Sequence, residues 1–284
     1  MIGSIVSPIN SAVFGFVEGV TEYLPISSTS HLAFTSRLLG LDDPSRFSPA
    51  QLEALKAFEI VTQGGAILAV LFIYMKFIKR MIFGIQGKDN DGRKLFINVC
   101  VAFSPVAVLG LLLDKFIKEN LQDFQPMIFA MFLGGVVMVR WQKSIHAQNS
   151  RDRGFGIFQL NLKQAVIIGF AQCIALWPGT SRSMVTIIAG MIIGLTPVAA
   201  AEFAFILGLP TLAAATGYRL LKEGPVLAAH ISSEAMLIGV GISTITAFIS
   251  VRWLLGYLKR NGLSIFGWYR IAMAILLSLY FYRF

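Results

Sequence analysis

The chain has 284 residues, of which 56% are apolar and only 14% charged, and its mean hydropathy is +0.71. Soluble globular chains carry about 25% charged residues, so this composition excludes a soluble enzyme, a disordered protein and a nucleic-acid-binding domain. The net charge of +9 would suit a nucleic-acid partner, but basic loops on the cytoplasmic side of a membrane explain it more simply. We therefore expect a single all-α integral membrane domain, residues 1–284, surrounded by membrane lipids.

Ten apolar stretches follow one another along the chain, and a membrane-spanning helix needs about 20 mostly apolar residues. Two of them, Ile26–Leu41 and Ser183–Leu195, are too short to span, and each follows a proline, Pro25 or Pro178. Short segments with such breaks at corresponding places are typical of re-entrant or broken helices. In chain order the stretches are Ile5–Leu24, Ile26–Leu41, Ala54–Phe77, Leu95–Phe116, Met127–Trp141, Leu160–Trp177, Ser183–Leu195, Pro197–Leu221, Ala235–Leu255 and Ile265–Tyr282.

Lysine and arginine are concentrated in three segments, 76–94, 140–163 and 252–260, which hold 14 of the 24 basic residues. Basic loops face the cytoplasm, so we place these three segments on that side. Because the chain must cross the membrane an even number of times between two cytoplasmic segments, the count gives six spanning helices. Segments 5–41 and 160–195 are then hairpins that enter the membrane from opposite faces and return to the same face. The prediction is six transmembrane helices plus two oppositely oriented re-entrant helical hairpins.

The two hairpins resemble each other in sequence, which predicts an internal repeat. Gly15–Glu18 (GFVE) resembles Gly169–Gln172 (GFAQ) at a separation of 154 residues, and Pro25–Ser30 aligns with Pro178–Ser183 at 153. Similar halves that enter from opposite faces form an inverted repeat, with a site between the halves near the middle of the membrane. The halves cover roughly residues 1–142 and 160–284.

Two glutamates on the first hairpin predict a metal site. Glu18 and Glu22 are four residues apart, so their carboxylates lie on one face of a helix. Like charges there repel unless a cation lies between them or one is protonated. Hard cations prefer carboxylate oxygens, so the pair favours a divalent cation such as Mg²⁺ or Ca²⁺, with a protonated, hydrogen-bonded pair as the alternative.

The residues after Pro25 form the densest polar run inside an apolar stretch. Ser27, Ser28, Thr29 and Ser30 precede His31, and a helix N-terminus surrounded by hydroxyl groups is suited to bind an anion. His31 lies within one helical turn of Ser28, so it could activate that hydroxyl group or act as an acid. An ordinary helix cap followed by a polar packing residue is the alternative.

The corresponding run in the second half contains Arg182. Its guanidinium group matches phosphate oxygens, and an unpaired arginine in lipid is very unfavourable. Glu18 or Glu22 could supply its anionic partner structurally and a substrate phosphate functionally, and both can hold in alternation. Together the hydroxyl groups, arginine, histidine and carboxylates are the parts of a phosphoryl-transfer site, and only a lipid-borne phosphate would bring such a site into a membrane.

Three other polar residues are expected to have supporting roles. Glu59 is expected to brace its hairpin by hydrogen bonds to the backbone or to hydroxyl groups. Tyr269 and Arg270 begin the last apolar helix, so we expect them to extend their polar ends to the membrane interface.

The segment Glu18–His31 (EGVTEYLPISSTSH) closely resembles the EGxTEFLPVSSTGH signature of bacterial undecaprenyl-diphosphatases, the bacitracin-resistance family. Pro178–Ser183 and Thr186 resemble the second signature of that family, PGxSRSxxT. The likeness extends over essentially the whole chain, with one departure: Ser30 stands where the family usually has glycine. The resemblance implies an integral membrane enzyme with six spanning helices and two re-entrant hairpins. It also implies an active site that faces the periplasm or cell exterior, in the bacterial plasma (inner) membrane.

The resemblance also implies an activity and residue roles. The family converts undecaprenyl diphosphate to undecaprenyl phosphate and inorganic phosphate, which recycles the lipid carrier of peptidoglycan synthesis, and it requires a divalent cation. Ser28 is then the proposed nucleophile and His31 its activator or a proton donor, while whether His31 itself attacks is left open. Glu18 and Glu22 handle the metal or protons, Glu22 and Arg182 are catalytic, and Arg182 clamps the diphosphate. The phosphate-binding residues implied are Ser27, Thr29, Ser30, Gly179, Ser181, Ser183 and Thr186.

An inverted-repeat transporter or flippase of polyprenyl phosphates is the second reading, because pseudo-symmetric hairpins are also a transporter device. The asymmetry of the halves favours the enzyme. The first half carries Glu18, Glu22 and His31, whereas the second carries Gln172 and Leu176 at the positions of the two glutamates. Transport alone does not need that unequal set. Both a monomer and a homodimer are compatible with the sequence.

Overall fold

The computed structural model describes residues 4–147 and 154–283, which are almost entirely helical. Arg151 and Arg153, which belong to the second basic segment, lie outside the described residues. The α-helices of the described residues are α1 (Pro8–Thr21), α2 (Ser28–Leu38), α3 (Pro49–Ile73), α4 (Met75–Ile85), α5 (Asn90–Asn120), α6 (Phe124–Ala147), α7 (Leu162–Gln172), α8 (Arg182–Ile192), α9 (Pro197–His230), α10 (Ser233–Leu258) and α11 (Ser264–Arg283).

Six of these helices, α3, α5, α6, α9, α10 and α11, are long and apolar enough to cross a membrane. This confirms the six spanning helices predicted for the described part of the chain, and a multi-pass membrane protein follows. Helix α9 has 34 residues and continues to His230 beyond the predicted Leu221. It does so through Pro210 and Pro225.

The predicted stretch Ala54–Phe77 is wrong at its end, because the helix stops at Tyr74. That residue takes a non-helical backbone (φ −102°, ψ 20°) and separates α3 from α4. The segment expected as a basic loop therefore begins with a helix. Helix α4 carries both basic side chains, such as Lys79, and exposed apolar side chains, such as Ile82 and Phe83. This combination is typical of helices that lie in the membrane interface.

An ion pair joins α4 to the start of α5. The Arg80 guanidinium donates to Asp89 at 2.7 Å, and Asp89 also accepts from the Gly92 N–H at 2.8 Å, which caps α5. Hydrogen bonds from Arg80 and from this N–H hold the pKa of Asp89 at about 2. The acidic residue at the N-terminus of α5 is thus fixed by both charge and capping.

Two pairs of short helices flank the two motif loops: α1 with α2, and α7 with α8. Helices α2 and α8 have 11 residues each, or about 16 Å at 1.5 Å per residue, roughly half of the ~30 Å hydrocarbon core. Their starts lie 154 residues apart, as do their ends, so the sequence alignment of Pro25–Ser30 with Pro178–Ser183 at 153 residues is wrong by one residue at the helix starts. Each follows a serine with φ 73°, Ser27 or Ser181, and each precedes a glycine in the positive-φ region, Gly40 or Gly194. The chain therefore takes the same backbone course at both places.

Small residues bring the short helices close to the long ones. A Cβ atom on Gly15 would lie 2.3 Å from the Gly239 carbonyl oxygen, and one on Gly19 would lie 2.5 Å from that of Ser243. Helix α1 therefore packs backbone to backbone on α10, which is the contact that small residues permit between membrane helices. Helix α8 packs likewise on α9, and these contacts fix the loops that carry the polar residues.

Candidate active site

The two motif loops meet on the carboxylate of Glu22, which follows the last residue of α1. One carboxylate oxygen accepts the Ser28 hydroxyl hydrogen at 2.5 Å, and the other accepts from Arg182 Nη2 at 3.0 Å. Ser28 and Arg182 are the first residues of α2 and α8, and Arg182 lies 160 residues from Glu22 in sequence. The Glu22 and Arg182 side chains are 7% and 11% exposed, so the pair is buried and neutral overall, as buried charges require.

The other half of the Arg182 guanidinium group is also engaged. Its Nη1 donates to the Ala204 carbonyl of α9 at 3.0 Å, and the group lies 5.7 Å from the centre of the Tyr23 ring. Gly208, one turn further along α9, makes room for it, since a Cβ there would lie 2.4 Å from Nη1. The sequence expectation of an acidic partner for Arg182 is met by Glu22.

Ser27 and Ser181, which cap α2 and α8, share a strained backbone. A non-glycine residue at φ 73° costs on the order of 1–3 kcal/mol, and such residues cluster at functional sites. The Ser27 hydroxyl lies 3.2 Å from that of Ser30, and the Ser181 hydroxyl lies 3.1 Å from that of Ser183. Each strained serine is therefore held by a second serine on the first turn of the same helix.

Ser183 and Thr186 have their hydroxyl groups bonded to backbone. Ser183 Oγ donates to the Leu24 carbonyl of the first motif at 3.0 Å, and Thr186 Oγ1 donates to the Arg182 carbonyl at 2.8 Å. Both side chains are almost fully buried. In this structure they join the two loops and stabilise the turn that carries Arg182.

His31 contacts Ser27 and Tyr269 through its two ring nitrogens. Nδ1 lies 2.7 Å from the Ser27 carbonyl oxygen, and Nε2 lies 2.7 Å from the Tyr269 hydroxyl. Because a carbonyl only accepts, Nδ1 carries the hydrogen, and in the neutral ring Nε2 accepts from the tyrosine. The Tyr269 ring also stacks on the imidazole at 5.7 Å. The Ser28 hydroxyl group donates to Glu22 instead.

Arg270 lies in the interior, so the expectation that it reaches the membrane interface is wrong. Its side chain is 0% exposed and donates to four carbonyl oxygens. Two belong to Ala130 and Met131 on α6, and the other two, at 3.4 Å and 3.0 Å, belong to Pro25 and Gly179 in the two motif loops. Arg270 is thus a direct link between both motifs and α6. Tyr269, the residue before it, is likewise a partner of His31 rather than an interface anchor.

Glu18 is fully buried, and neither of its carboxylate oxygens has a hydrogen-bond partner. The corresponding Gln172 of the second half is also fully buried with both polar atoms unpartnered. Buried polar atoms without partners are rare and need a ligand, an ion or a proton. The described residues contain no cluster of three or more histidine, cysteine, aspartate or glutamate residues suited to a metal.

A polar cavity of about 120 Å³ opens between the two motif loops. This is several times the volume that one water molecule needs. Of the sequence-predicted site residues, those that line it are Glu22, Ser27, Ser28, Thr29, Gly179, Ser181 and Arg182. Glu18, Ser30, His31, Ser183 and Thr186 lie outside its lining.

Gln63 and Trp177 also line the cavity and were missed from the sequence. Gln63 could have been noticed as a polar residue in the middle of the apolar helix α3, since an amide in lipid needs a partner. Glu59, one turn earlier on α3, accepts a hydrogen bond from Ser36 of α2, which is the bracing role expected of it.

The fold and the site together define a class: a polytopic α-helical membrane protein with a buried, arginine-containing polar cavity suited to a phosphate group. Comparison with known proteins identifies the family. Residues 11–276 match the family model "Bacitracin resistance protein BacA", and the chain belongs to that family.

Several relatives cover nearly the whole chain. The chain is 39% identical over 268 residues to the undecaprenyl-diphosphatase of Sorangium cellulosum, covering 94% of this chain and 84% of the relative. It is 38% identical to the undecaprenyl-diphosphatase of Polaromonas naphthalenivorans, covering 94% and 92%. It is 39% identical to undecaprenyl-diphosphatase 2 of Rhodospirillum rubrum, covering 95% and 94%.

Proposed function

We propose that this protein is a membrane phosphatase that converts undecaprenyl diphosphate to undecaprenyl phosphate and inorganic phosphate, and so recycles a lipid carrier and confers bacitracin resistance. The observation that carries the proposal is the Glu22 carboxylate, which bonds the Ser28 hydroxyl and the Arg182 guanidinium at one wall of the cavity. Full-length relatives named undecaprenyl-diphosphatase support the same activity.

The reaction begins when the substrate diphosphate takes the place of Glu22 as the partner of Arg182. The guanidinium fork binds phosphate oxygens in two parallel hydrogen bonds, and the released Glu22 oxygens can then accept a proton. Ser28 Oγ attacks the terminal phosphorus, Glu22 takes the hydroxyl proton, and the bond from that phosphorus to the bridging oxygen breaks. Undecaprenyl phosphate leaves, and water then hydrolyses the phosphoserine to release inorganic phosphate.

The hydroxyl groups around Ser28 are proposed to bind the phosphates. Ser27, Thr29 and Ser181 line the cavity, so they can donate to phosphate oxygens directly, with the Gly179 backbone beside them. Three further residues do not line the cavity but hold the residues that do. Ser30 contacts Ser27, Ser183 contacts Ser181, and Thr186 donates to the Arg182 carbonyl. This arrangement surrounds an anion with donors at the starts of two helices.

The nucleophile can be identified with a substitution and a trapping experiment. We expect Ser28→Ala to lower phosphate release from undecaprenyl diphosphate in detergent by roughly a thousandfold or more, while Ser104→Ala on the lipid-facing side of α5 leaves it unchanged. An acid-stable phosphoenzyme should form in the native chain and be absent from the Ser28→Ala variant. Undiminished turnover of Ser28→Ala would refute the assignment.

His31 is proposed to hold Ser27 in its strained conformation, and its bond to the Ser27 carbonyl supports this role. The alternative, in which His31 attacks phosphorus, predicts an acid-labile phosphohistidine. Trapping the phosphoenzyme and testing its stability in acid and in base distinguishes the two residues directly.

A divalent cation, Mg²⁺ or Ca²⁺, is proposed to be held by Glu18 and Glu22. Two unpartnered buried oxygens on Glu18 and a second carboxylate one turn away fit a hard cation. When bound, it would neutralise charge on the diphosphate. We expect Glu18→Gln to raise the Mg²⁺ concentration needed for half-maximal thermal stabilisation by about 10–100-fold. A stability curve that does not respond to Mg²⁺ or chelator in the native chain would refute the site.

We further propose that the two short helix pairs are re-entrant hairpins of an inverted repeat, oriented oppositely. The equal lengths, the common offset of 154 residues and the matching φ values of Ser27 and Ser181 support a repeat. The basic segments support an active site that faces the periplasm or exterior of the inner membrane. In a chain with Cys100 and Cys173 replaced by alanine, an impermeant maleimide should label Ser45→Cys in spheroplasts and Lys88→Cys only after lysis.

Reconstituted protein distinguishes hydrolysis from transport. Proteoliposomes given undecaprenyl diphosphate on the outside should release inorganic phosphate outside. Movement of the lipid without phosphate release would favour the flippase instead. A homodimer remains a proposal for the assembly, and the mass of the detergent-solubilised protein by light scattering measures it.

A further inference from the structure

A second cavity, of about 540 Å³, lies between the outer faces of α6 and α11. Its walls are mostly apolar; Gln125 and Ser278 are the polar lining residues, and none of the residues that line it is charged. The main lining residues are Ile128, Phe129, Phe132, Ile275, Leu279 and Phe281. Several of these side chains are half exposed, so the cavity is a groove that is open toward the lipid.

One aromatic pair links the lining of the groove to the lining of the polar cavity. Phe129 in the groove lies 6.0 Å, between ring centroids, from Trp177, which lines the polar cavity. On the neighbouring turn of α6, the backbone of Met127 touches the second motif loop, since a Cβ on Gly179 would lie 2.2 Å from the Met127 carbonyl oxygen. One segment of α6 therefore borders the phosphate-binding loop on one face and the apolar groove on the other.

We propose that this groove binds the isoprenoid chain of the substrate, with the chain leaving the polar cavity past Trp177 and Phe129. The inference rests on the proposed function, because it assumes that the diphosphate occupies the polar cavity. A lipid chain attached to that headgroup must leave toward an apolar surface, and this groove is apolar, concave and joined to the cavity by one aromatic contact.

The length of the groove limits what it recognises. Its α6 wall runs from Gln125 to Phe132, which is roughly 10 Å along a helix at 1.5 Å per residue. A groove of this length holds only the isoprene units nearest the diphosphate. The rest of a long chain lies in the lipid, so chains of different length should bind alike once these first units are present.

Filling the groove tests the proposal through KM. We expect Ile275→Trp to raise KM for farnesyl and undecaprenyl diphosphate about tenfold, with kcat unchanged, and to leave KM for dimethylallyl diphosphate, which has a single isoprene unit, unchanged. The matched control is Ile245→Trp on α10, where the native side chain is 62% exposed to lipid, and it should alter none of the three. Normal KM values for Ile275→Trp would overturn the groove assignment while leaving the phosphatase proposal intact. Absence of hydrolysis of any of the three in the native chain would overturn the phosphatase proposal instead.

Crosslinking provides a readout that does not depend on turnover. A farnesyl diphosphate analogue with a diazirine on its second isoprene unit, bound to the Ser28→Ala variant, should label peptides of α6 and α11, and excess unlabelled farnesyl diphosphate should compete. Labelling spread evenly over lipid-facing helices would overturn the proposal. So would a change of oligomeric state in Ile275→Trp with normal KM values, since a second copy of the chain would then be the occupant of the groove.

Discussion

Replacing Arg270 tests whether one buried cation holds the two motif loops together. The Arg270→Met variant keeps a long apolar side chain but removes all the donors that reach Ala130, Met131, Pro25 and Gly179. The two α6 carbonyls still have helical partners four residues on. Pro25 and Gly179 lie between helices, so their carbonyls depend on the guanidinium group.

The expected loss follows from those two carbonyls. A buried acceptor left without a partner costs about 1–3 kcal/mol, so the pair costs about 2–6 kcal/mol. The total stability of a folded chain is only about 5–15 kcal/mol, which makes this a severe change. If the lower value, about 2 kcal/mol, is lost from the stabilisation of the transition state, turnover falls by roughly 30-fold or more.

Two measurements on purified protein check the reasoning. The midpoint of thermal unfolding in detergent should fall by several degrees, and phosphate release should fall in parallel. Arg270→Lys is the matched control. It keeps the charge but, as a compact ammonium group, reaches fewer of the four carbonyls, so both values should lie between those of the native and Met forms. A Met variant with native midpoint and turnover would refute the structural role.

Three other changes give graded tests of the same structure. Gly208→Ala should displace Arg182, because the new Cβ would lie 2.4 Å from Nη1, and should lower turnover about tenfold or more; Gly217→Ala on the same helix, which has open space around it, should have no effect. Glu22→Gln should lower kcat about 100-fold or more, as loss of a general base does, and native kcat would remove Glu22 from the reaction. The pKa of Asp89 is about 2, so the α5 cap should persist as pH falls through 4 and be lost only as pH approaches 2. Protection of the Gly92 amide against hydrogen exchange measures the cap, and loss of protection already at pH 4 would contradict the prediction.

Much of the site could be predicted because the residues that meet in space belong to two dense polar runs in an otherwise apolar sequence. Charged residues in lipid are rare enough that Glu22 and Arg182 are conspicuous, and Ser28 belongs to the densest polar run inside an apolar stretch. The six long helices followed from the apolar stretches together with the positions of the three basic segments. What the sequence did not reveal was the pairing: that the Ser28 hydroxyl group donates to Glu22, while His31 binds Ser27 and Tyr269.

Arg270 and Tyr74 show why the rest could not be predicted. An arginine near the start of a helix suits the membrane interface equally well, and only the packing of α6 against α11 decides that its side chain faces inward. At Tyr74 the sequence has neither proline nor glycine to mark the end of the helix. The phenol ring packs against Phe77 and Phe205, at 5.6 Å and 6.5 Å between centroids, so its position depends on α9.

The asymmetry of the site follows from two equal backbones that carry different side chains. Ser28 and Arg182 occupy the same position, the first residue of an 11-residue helix after a serine with φ 73°. The side chain at this position points into the cavity in both loops, so one loop presents a hydroxyl group and the other a cation. Glu22 lies between them and binds both, while the residue 154 positions later is the apolar Leu176. A pair of matching loops thus carries the proposed nucleophile, clamp and base. Exchanging Ser28 and Arg182 should keep the fold but abolish phosphate release, because the new serine would lie away from the Glu22 oxygen proposed to accept its proton.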